Sequence, residues 1–248
     1  MPDGPPPEPA VQKLRLQYAK RGRLRFSSSR DFQRALERAL RRAGVPMAFS
    51  AGFHPHPKIS YANAAPTGTA SEAEYVEISL VERVDPARLR EALDAALPPG
   101  LDVVAAVEAG PGALADRLQA SHWSVVFPGM QPAHLERASR LLLAQSRVEV
   151  TRVLKNGPRT FDVRAAVLRM SVGAGVPGEM PDCAILDMVV RHTTPAVRPD
   201  DVLTALRAVS GLAPPQSPLV TRLAQGPLRA ATAEVADPLA PDPDGDGD

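Results

Sequence analysis

The segment Gly52-Phe53-His54-Pro55-His56-Pro57-Lys58 places two imidazoles and an ammonium group within five consecutive positions. Pro55 and Pro57 restrict the backbone on both sides of His56, and Gly52 permits a turn that other residues resist. The pattern predicts a stiff loop displaying titratable groups, the kind of element on which binding and catalysis sit. A His-x-His pair supplies two ligands to zinc or iron, but such a site needs a third. Asp31, Glu72 and Glu74 are carboxylates with no spacing that favours any of them, so no metal site is expected. Two readings of the loop remain. Either His54, His56 and Lys58 recognise phosphate or substrate, or the loop is structural and its imidazoles bond to the backbone.

A second group is basic. Arg34, Arg38, Arg41 and Arg42 follow one another at steps of four, three and one, which places them together on one helix face. With Lys20, Arg21, Arg23 and Arg25 just upstream they read as one continuous positive patch. From Lys13 to Arg42 there are eleven basic residues against two acidic ones, Asp31 and Glu37, although the whole chain carries only +1. Such a patch attracts phosphate backbones by counterion release. A solvated helix face and a docking surface for an acidic protein are the competing readings. Among aromatic residues, Tyr18, Phe26 and Phe32 lie nearby and Phe32 belongs to the core face, which gives little support for base stacking on a sheet.

The third group is Ser27-Ser28-Ser29-Arg30-Asp31. At a helix start, free N–H groups, hydroxyls and Arg30 make an anion site, and plain capping explains the serines as well. The chain contains no Gly-x-Ser-x-Gly elbow, Walker loop or His-Glu-x-x-His motif. Cys183 has no basic neighbour in sequence and reads as a packed apolar residue, while His122, His134 and His192 stand singly in core or surface.

The elements that must position these residues follow from periodicity. Gln12–Ala19 alternates, with Leu14, Leu16 and Tyr18 on one side, and predicts a half-buried strand before a basic turn at Lys20–Arg25. Phe32, Ala35, Leu36, Ala39, Leu40 and Ala43 recur at helical steps and predict an amphipathic helix over Asp31–Ala43, with Ser28 and Asp31 as a capping box and Gly44 and Pro46 as its stop. A short strand at Met47–Ser50, strands at Lys58–Ala64 and Glu74–Leu80, a helix at Asp85–Ala96 and a strand at Leu101–Val107 complete a first unit. The second half repeats the order: strand His122–Phe127, helix Pro132–Gln145, then Arg147–Leu154 paired with Arg159–Met170 across Asn156-Gly157. Strand Ile185–Arg191, helix Arg198–Val209 with Asp200 and Asp201 in its first turn, and strand Leu219–Leu223 close it. The expected fold class is α+β: two tandem ferredoxin-like (βαββαβ) units over residues 11–110 and 111–230, with antiparallel sheets and helices on one face. The break falls near Gly110–Gly112, and residues 1–10 and the acidic 231–248 read as disordered tails.

Composition narrows the class. With 248 residues, 44% hydrophobic and 23% charged, the chain is one large domain or two small ones with enough apolar surface for a core, so wholesale disorder is excluded. No apolar run is long enough to span a bilayer, and the acidic, proline-rich start is neither a secretory signal nor a membrane anchor. A single cysteine allows no internal disulfide and cannot alone hold a thiolate zinc site or an iron–sulfur cluster. The expectation is a cytoplasmic protein in a reducing compartment, without a membrane or a cofactor of its own.

The words Leu24-Arg25-Phe26-Ser27-Ser28-Ser29-Arg30-Asp31-Phe32, Glu37-Arg38-Ala39-Leu40-Arg41-Arg42-Ala43-Gly44-Val45-Pro46, Ser50 through Ser60, and Ser71-Glu72-Ala73-Glu74-Tyr75 closely resemble the radical SAM-linked protein family, domain of unknown function 2344. The likeness extends over most of residues 11–228, and its most specific word is Gly52-Phe53-x-Pro55-His56-Pro57-Lys58. The resemblance implies a radical S-adenosylmethionine partner of the cobalamin-binding type and supplies no established activity. His56 and Lys58 match the family pattern, His54 sits at its variable position, and Ser28-Ser29 stands where the family usually reads Ser-His. Radical chemistry of this kind needs a cluster held by three cysteines, so with Cys183 alone this chain is the accessory. Its expected role is to grip RNA or another phosphate-rich ligand through Ser28, Ser29, Arg30, Arg34, Arg38, Arg41, Gly52, Phe53, His54, His56 and Lys58, and to present it. The alternatives are a stand-alone enzyme, with His56 as general acid or base and Lys58 holding an anionic substrate, and a protein-docking adaptor.

Overall fold

Leu14, Leu16 and Tyr18 alternate on one side of the first strand, and burying that side against helices is what makes the segment a strand. The computed structural model describes residues 8–155, 157–175 and 182–241. Among these residues the chain is α+β, with antiparallel strand pairing and five α-helices, and it divides into two units, 8–117 with 238–241 and the described part of 118–237. No helix among the described residues is long and apolar enough to cross a membrane.

In the first unit β1 (Gln12–Lys20) leads through a short 3₁₀ turn, Gly22–Phe26, into α1 (Ser29–Arg42). Then come β2 (Ile59–Ala62), β3 (Ala70–Leu80), α2 (Pro86–Ala96), β4 (Leu101–Glu108) and a single turn, α3 (Leu114–Arg117). β1 lies between β3 and β4, and β2 pairs with β3, all antiparallel. Leu14, Leu16 and Tyr18 join Val76, Ile78 and Leu80 of β3, the apolar face of α1, and Leu89 and Leu93 of α2 in one core. The Asp85 side chain accepts from Arg88 N–H and Pro86 occupies the first helical turn, which fixes the start of α2.

The expected half-buried β1 is buried more deeply than alternation implies. Arg15 is 2% exposed, and Lys20 is buried as the last residue of the strand. Arg15 Nε donates to Glu77 Oε2, directly opposite in the β1–β3 register, and Nη2 donates to the carbonyls of Gly110 and Gly112. Lys13 lies 3.7 Å from the same carboxylate. A buried guanidinium is tolerable here because a carboxylate and two carbonyls replace its water. The expected turn at Lys20–Arg25 is strand followed by 3₁₀ turn, and the expected strand at Met47–Ser50 is reduced to isolated bridges, Met47 with Leu80 and Phe49 with Pro57.

The second unit runs β5 (Ala120–Pro128), α4 (Pro132–Leu143), β6 (Glu149–Leu154), β7 (Gly157–Asp162), β8 (Val167–Ala174), β9 (Cys183–Arg191), α5 (Pro199–Ser210) and β10 (Leu219–Gly226). A small pair follows, β11 (Leu228–Arg229) with β12 (Glu234–Val235). The sheet order is β10-β5-β9-β8, and β6 and β7 form a separate hairpin. Trp123, Val125 and Phe127 of β5 centre the core, with Leu135 and Leu142 of α4 and Val202, Ala205 and Leu206 of α5 against them.

One expected strand, Arg159–Met170, is two. A 3₁₀ turn at Arg164–Ala166 breaks it into β7 and β8. Val163 and Ala166 are fully buried there, Asp162 Oδ1 accepts from Arg164 N–H, and the Arg164 guanidinium donates to the carbonyls of Leu143 and Val167. Core burial on both sides of an arginine-pinned corner overrides the local alternation. Asn156 of the expected hairpin turn lies outside the described residues, as do 1–7 and 242–248 of the expected tails. Residues 238–241 group with the first unit, where Arg117 donates to the Ala240 carbonyl at 2.6 Å.

The Arg15 arrangement carries a stability prediction. Arg15→Ala leaves the Glu77 carboxylate with only the distant Lys13 and empties the space of a buried guanidinium, so urea denaturation should show a loss of about 3 kcal/mol. Glu77→Gln, which keeps an acceptor for the guanidinium, should cost clearly less.

Candidate functional site

α1 is set by its cap and its apolar stripe. Ser28 Oγ accepts from Asp31 N–H at 3.2 Å, the Asp31 carboxylate accepts from Ser28 N–H at 3.1 Å, and the Ser28 hydroxyl bonds the same carboxylate at 2.6 Å. Phe32, Ala35, Leu36, Ala39 and Leu40 are buried, with the Phe32 ring stacked on Tyr18 at 3.9 Å and edge-on to Tyr61 at 6.2 Å. Burying that stripe turns Arg30, Arg34, Arg38 and Arg41 to water, and all four are exposed. None of the four forms an ion pair within 4 Å among the described residues, and the charge of Arg34 acts on the Asp31 carboxylate at a longer range. Arg38 and Arg42, with Ala35, Ala96, Leu97 and Pro98, line a shallow groove of about 210 Å³ between α1 and the end of α2.

The upstream cations are used differently. Arg15 and Lys20 are buried, with Lys20 Nζ 3.3 Å from the Ala65 carbonyl. Arg21 forks between Glu72 and Asp102, and the two carboxylates raise its pKa further. Arg25 donates to the Gly68 carbonyl and lies over the Phe26 ring at 5.3 Å, and Arg42 donates to the Ala96 carbonyl. The expected continuous patch is therefore an arginine stripe on α1, with Arg23 exposed in the upstream turn and Arg21 exposed but held by Glu72 and Asp102.

The Gly52–Lys58 word forms the tip and return of a closed loop. Ser50 N–H donates to the His56 carbonyl at 2.8 Å and Ser50 Oγ accepts from His56 N–H at 3.0 Å. Lys58 N–H donates to Ala48 O, Ala48 N–H to Ser79 O, and Ser79 N–H to Lys58 O, which seats the loop base on the last residues of β3. Gly52 has φ +119°, a conformation that glycine alone adopts without strain. Phe53, His54, His56 and Lys58 all face solvent, Phe53 at 83% exposure with the His54 imidazole edge-on to it at 5.9 Å. Neither imidazole forms a hydrogen bond to the backbone among the described residues.

Strand register separates the candidate groups. Lys20 sits opposite Ser71 and Leu101, Arg21 N–H donates to Gly100 O, and Gly68 N–H to Arg25 O, so Ser28, Ser29 and Arg30 start α1 at that end of the sheet. Gln12 sits opposite Leu80, Val81 N–H donates to Pro46 O, and the His-Pro loop springs from Ser79 and Leu80 at the other end. Arg34, Arg38 and Arg41 bridge the two along the helix. The start of α1 is already filled by its own carboxylate. Two hydrogen bonds from Ser28, and after them the charge of Arg34, hold the Asp31 carboxyl below its ordinary value, so a second anion there meets a negative charge. Tyr61 under the same helix has a buried hydroxyl with no hydrogen-bond partner, and burial, then the Glu37 charge, push its pKa up to about 12.

In the second unit the antiparallel pairing of β5 with β9 brings together two residues that sequence spacing did not connect. Ser121 Oγ is 2.7 Å from His192 Nε2, and His192 Nδ1 is 2.6 Å from the Leu118 carbonyl, so Nδ1–H donates to the carbonyl and Nε2 accepts the hydroxyl proton. Burial lowers the His192 pKa, against the Leu118 bond, and the Arg222 charge lowers it further. Only the β5–β9 register carries the signal, because the two residues are 71 positions apart. No group of three or more His, Cys, Asp or Glu side chains assembles for a metal ion among the described residues.

Residues 13–199 match the model of a family described as "Uncharacterized protein conserved in bacteria (DUF2344)". The match spans about three quarters of the chain, and the chain belongs to this family. The description gives no activity, ligand or partner, and no curated protein matches.

Two measurements test this electrostatic picture. Ser28→Ala removes the cap and the hydroxyl donor to Asp31 while the backbone N–H at position 28 remains, so the Asp31 carboxyl should titrate upward by NMR and the helix should lose about 1 kcal/mol. The pH sign follows from a depressed carboxyl: the wild-type advantage is present above the unfolded value of about 3.9 and disappears as pH falls through the folded value. His192 has the opposite charge type. Its folded pKa lies below the unfolded value of about 6.5, so its contribution is full above that pH and is lost on acidification. The fall in Tm from pH 7.5 to 5.5 should therefore be smaller in His192→Asn than in wild type.

Proposed function

We propose that the chain is an accessory binding module for RNA. It grips the phosphate backbone through the α1 arginines, with His56 and Lys58 adding cations at one end, and presents the strand to a radical SAM partner. The observation that carries this reading is the division of labour among the cations. Arg15, Lys20, Arg21, Arg25 and Arg42 are engaged inside the unit, whereas Arg34, Arg38 and Arg41 face water in one stripe without an ion pair among the described residues. A protein that needed the charge only for solubility has no reason to leave it in one line beside buried ion pairs.

The partner rests on the resemblance of the Gly52–Lys58 word and on the single cysteine, which leaves any cluster-dependent radical step to another polypeptide. The strand orders support a duplicated ferredoxin-like architecture: β4-β1-β3 with β2 on β3 in one unit, and β10-β5-β9-β8 in the other. Counted within each unit, both read fourth, first, third, second, the split βαβ order. Sheets of this kind with a basic helix suit RNA handling in a cytoplasmic setting, an argument by analogy of fold.

Gel-shift affinity for single-stranded RNA should fall steeply with salt. Replacing Arg34, Arg38 and Arg41 together by alanine should make the slope of log K against log salt shallower by about 2, at about 0.7 per phosphate contact. Absent or salt-independent binding overturns the reading, as does co-purification of an acidic protein with no nucleic acid.

A further inference from the structure

Half of the phenylalanines of this chain are exposed, and all three lie in the first unit: Phe26 at 64%, Phe49 at 44% and Phe53 at 83%. A phenylalanine left in water forgoes about 2 kcal/mol of burial. Two of them sit where a cation or imidazole accompanies the ring. Arg25 lies over Phe26 at 5.3 Å at the start of α1, and His54 stands edge-on to Phe53 at 5.9 Å in the loop at the other end. The arginine stripe runs between these two rings.

We infer that the two exposed rings are stacking platforms for unpaired bases, and that the RNA of the proposed function is bound as an extended single strand, with one base on Phe53, another on Phe26 and the intervening phosphates on α1. This inference rests on that functional reading and adds the ligand's form. A nucleotide offers a π-face beside a negative charge, and Phe53 with Lys58 and His56 offers the complement. The loop is ordered in advance by the paired Ser50–His56 bonds, the two prolines and Gly52, so stacking on its tip costs little ordering entropy. Base identity does not enter, since every base has a π-face.

The test compares full-length wild type, Phe53→Ala, Phe26→Ala and the triple arginine-to-alanine variant. The probes are a 12-nucleotide single-stranded RNA of mixed sequence, the same sequence as a duplex, and heparin. Phe53 and Phe26 are exposed, so their removal leaves the core intact. Each phenylalanine variant should weaken single-stranded RNA binding at least 5-fold while leaving heparin and duplex binding and the salt slope unchanged. Phe53→Tyr should restore the affinity. The only tryptophan is the buried Trp123, so Phe53→Trp adds a reporter whose fluorescence should be quenched by the single strand and not by heparin.

If the arginine variant loses all three probes while both phenylalanine variants bind normally, stacking is overturned and the backbone-binding reading stands. Equal losses on RNA and heparin in Phe53→Ala also overturn it, because heparin has no base to stack. Failure of the wild type to bind any probe overturns both readings.

Discussion

The stacked rings of Tyr18 and Phe32, 3.9 Å apart and inclined by 7°, fix the rotation of α1 about its own axis. A helix that presents Phe32, Ala35, Leu36, Ala39 and Leu40 to a sheet has no freedom over the rest of its surface. Residues two, six and nine positions after Phe32 must then face water, and each of these is an arginine. The β1 strand supplies one ring and the helix the other, so the contact that closes the core also orients the charge. Rotating the helix by one position would bury Arg34 or expose Leu36, at a cost of several kcal/mol in either case.

The same unit decides which cations stay available. Arg15 faces a carboxylate across the sheet and Arg21 is shared by two, so neither can offer a free guanidinium to a ligand. Lys20 is buried at the end of β1, and Arg42 ties α1 to the last turn of α2. Clustering of charge in sequence therefore overstates clustering on the surface. What α1 retains is a line rather than a patch, and a line of like charges favours a ligand whose charge is also linear.

How much of this was legible in the sequence depends on whether a cause is local. The capping box of Ser28 and Asp31, the apolar period of α1 and the β1 stripe of Leu14, Leu16 and Tyr18 are contained in a few adjacent residues, and they appear as read. The stiff Gly52–Lys58 loop was legible for the same reason, since proline and glycine act on their own backbone. The fate of Arg15 was not, because Glu77, Gly110 and Gly112 reach it only after β1 has paired. The corner at Arg164–Ala166 depends on Leu143 of a preceding helix, and the Ser121–His192 bond on the pairing of β5 with β9. Phe53 was among the residues expected to contact a ligand, whereas the exposure of Phe26 and Phe49 had no signal in local sequence.

Scale links the loop to the helix. From Arg30 to Arg41 the axis advances about 16 Å at 1.5 Å per residue. The register of β1 places the Phe26 turn before that stretch and the His-Pro loop beyond it. A ligand with a single phosphate group would meet one or two of these cations at a time. Exposed single ion pairs contribute little in water, so a small ligand would gain too little from this surface to be held. A chain of several phosphates meets them together, releases its counterions together, and incurs the cost of association once. On the proposed reading, the spacing of the α1 arginines favours a long polyanion over a small one before any contact with a base is made.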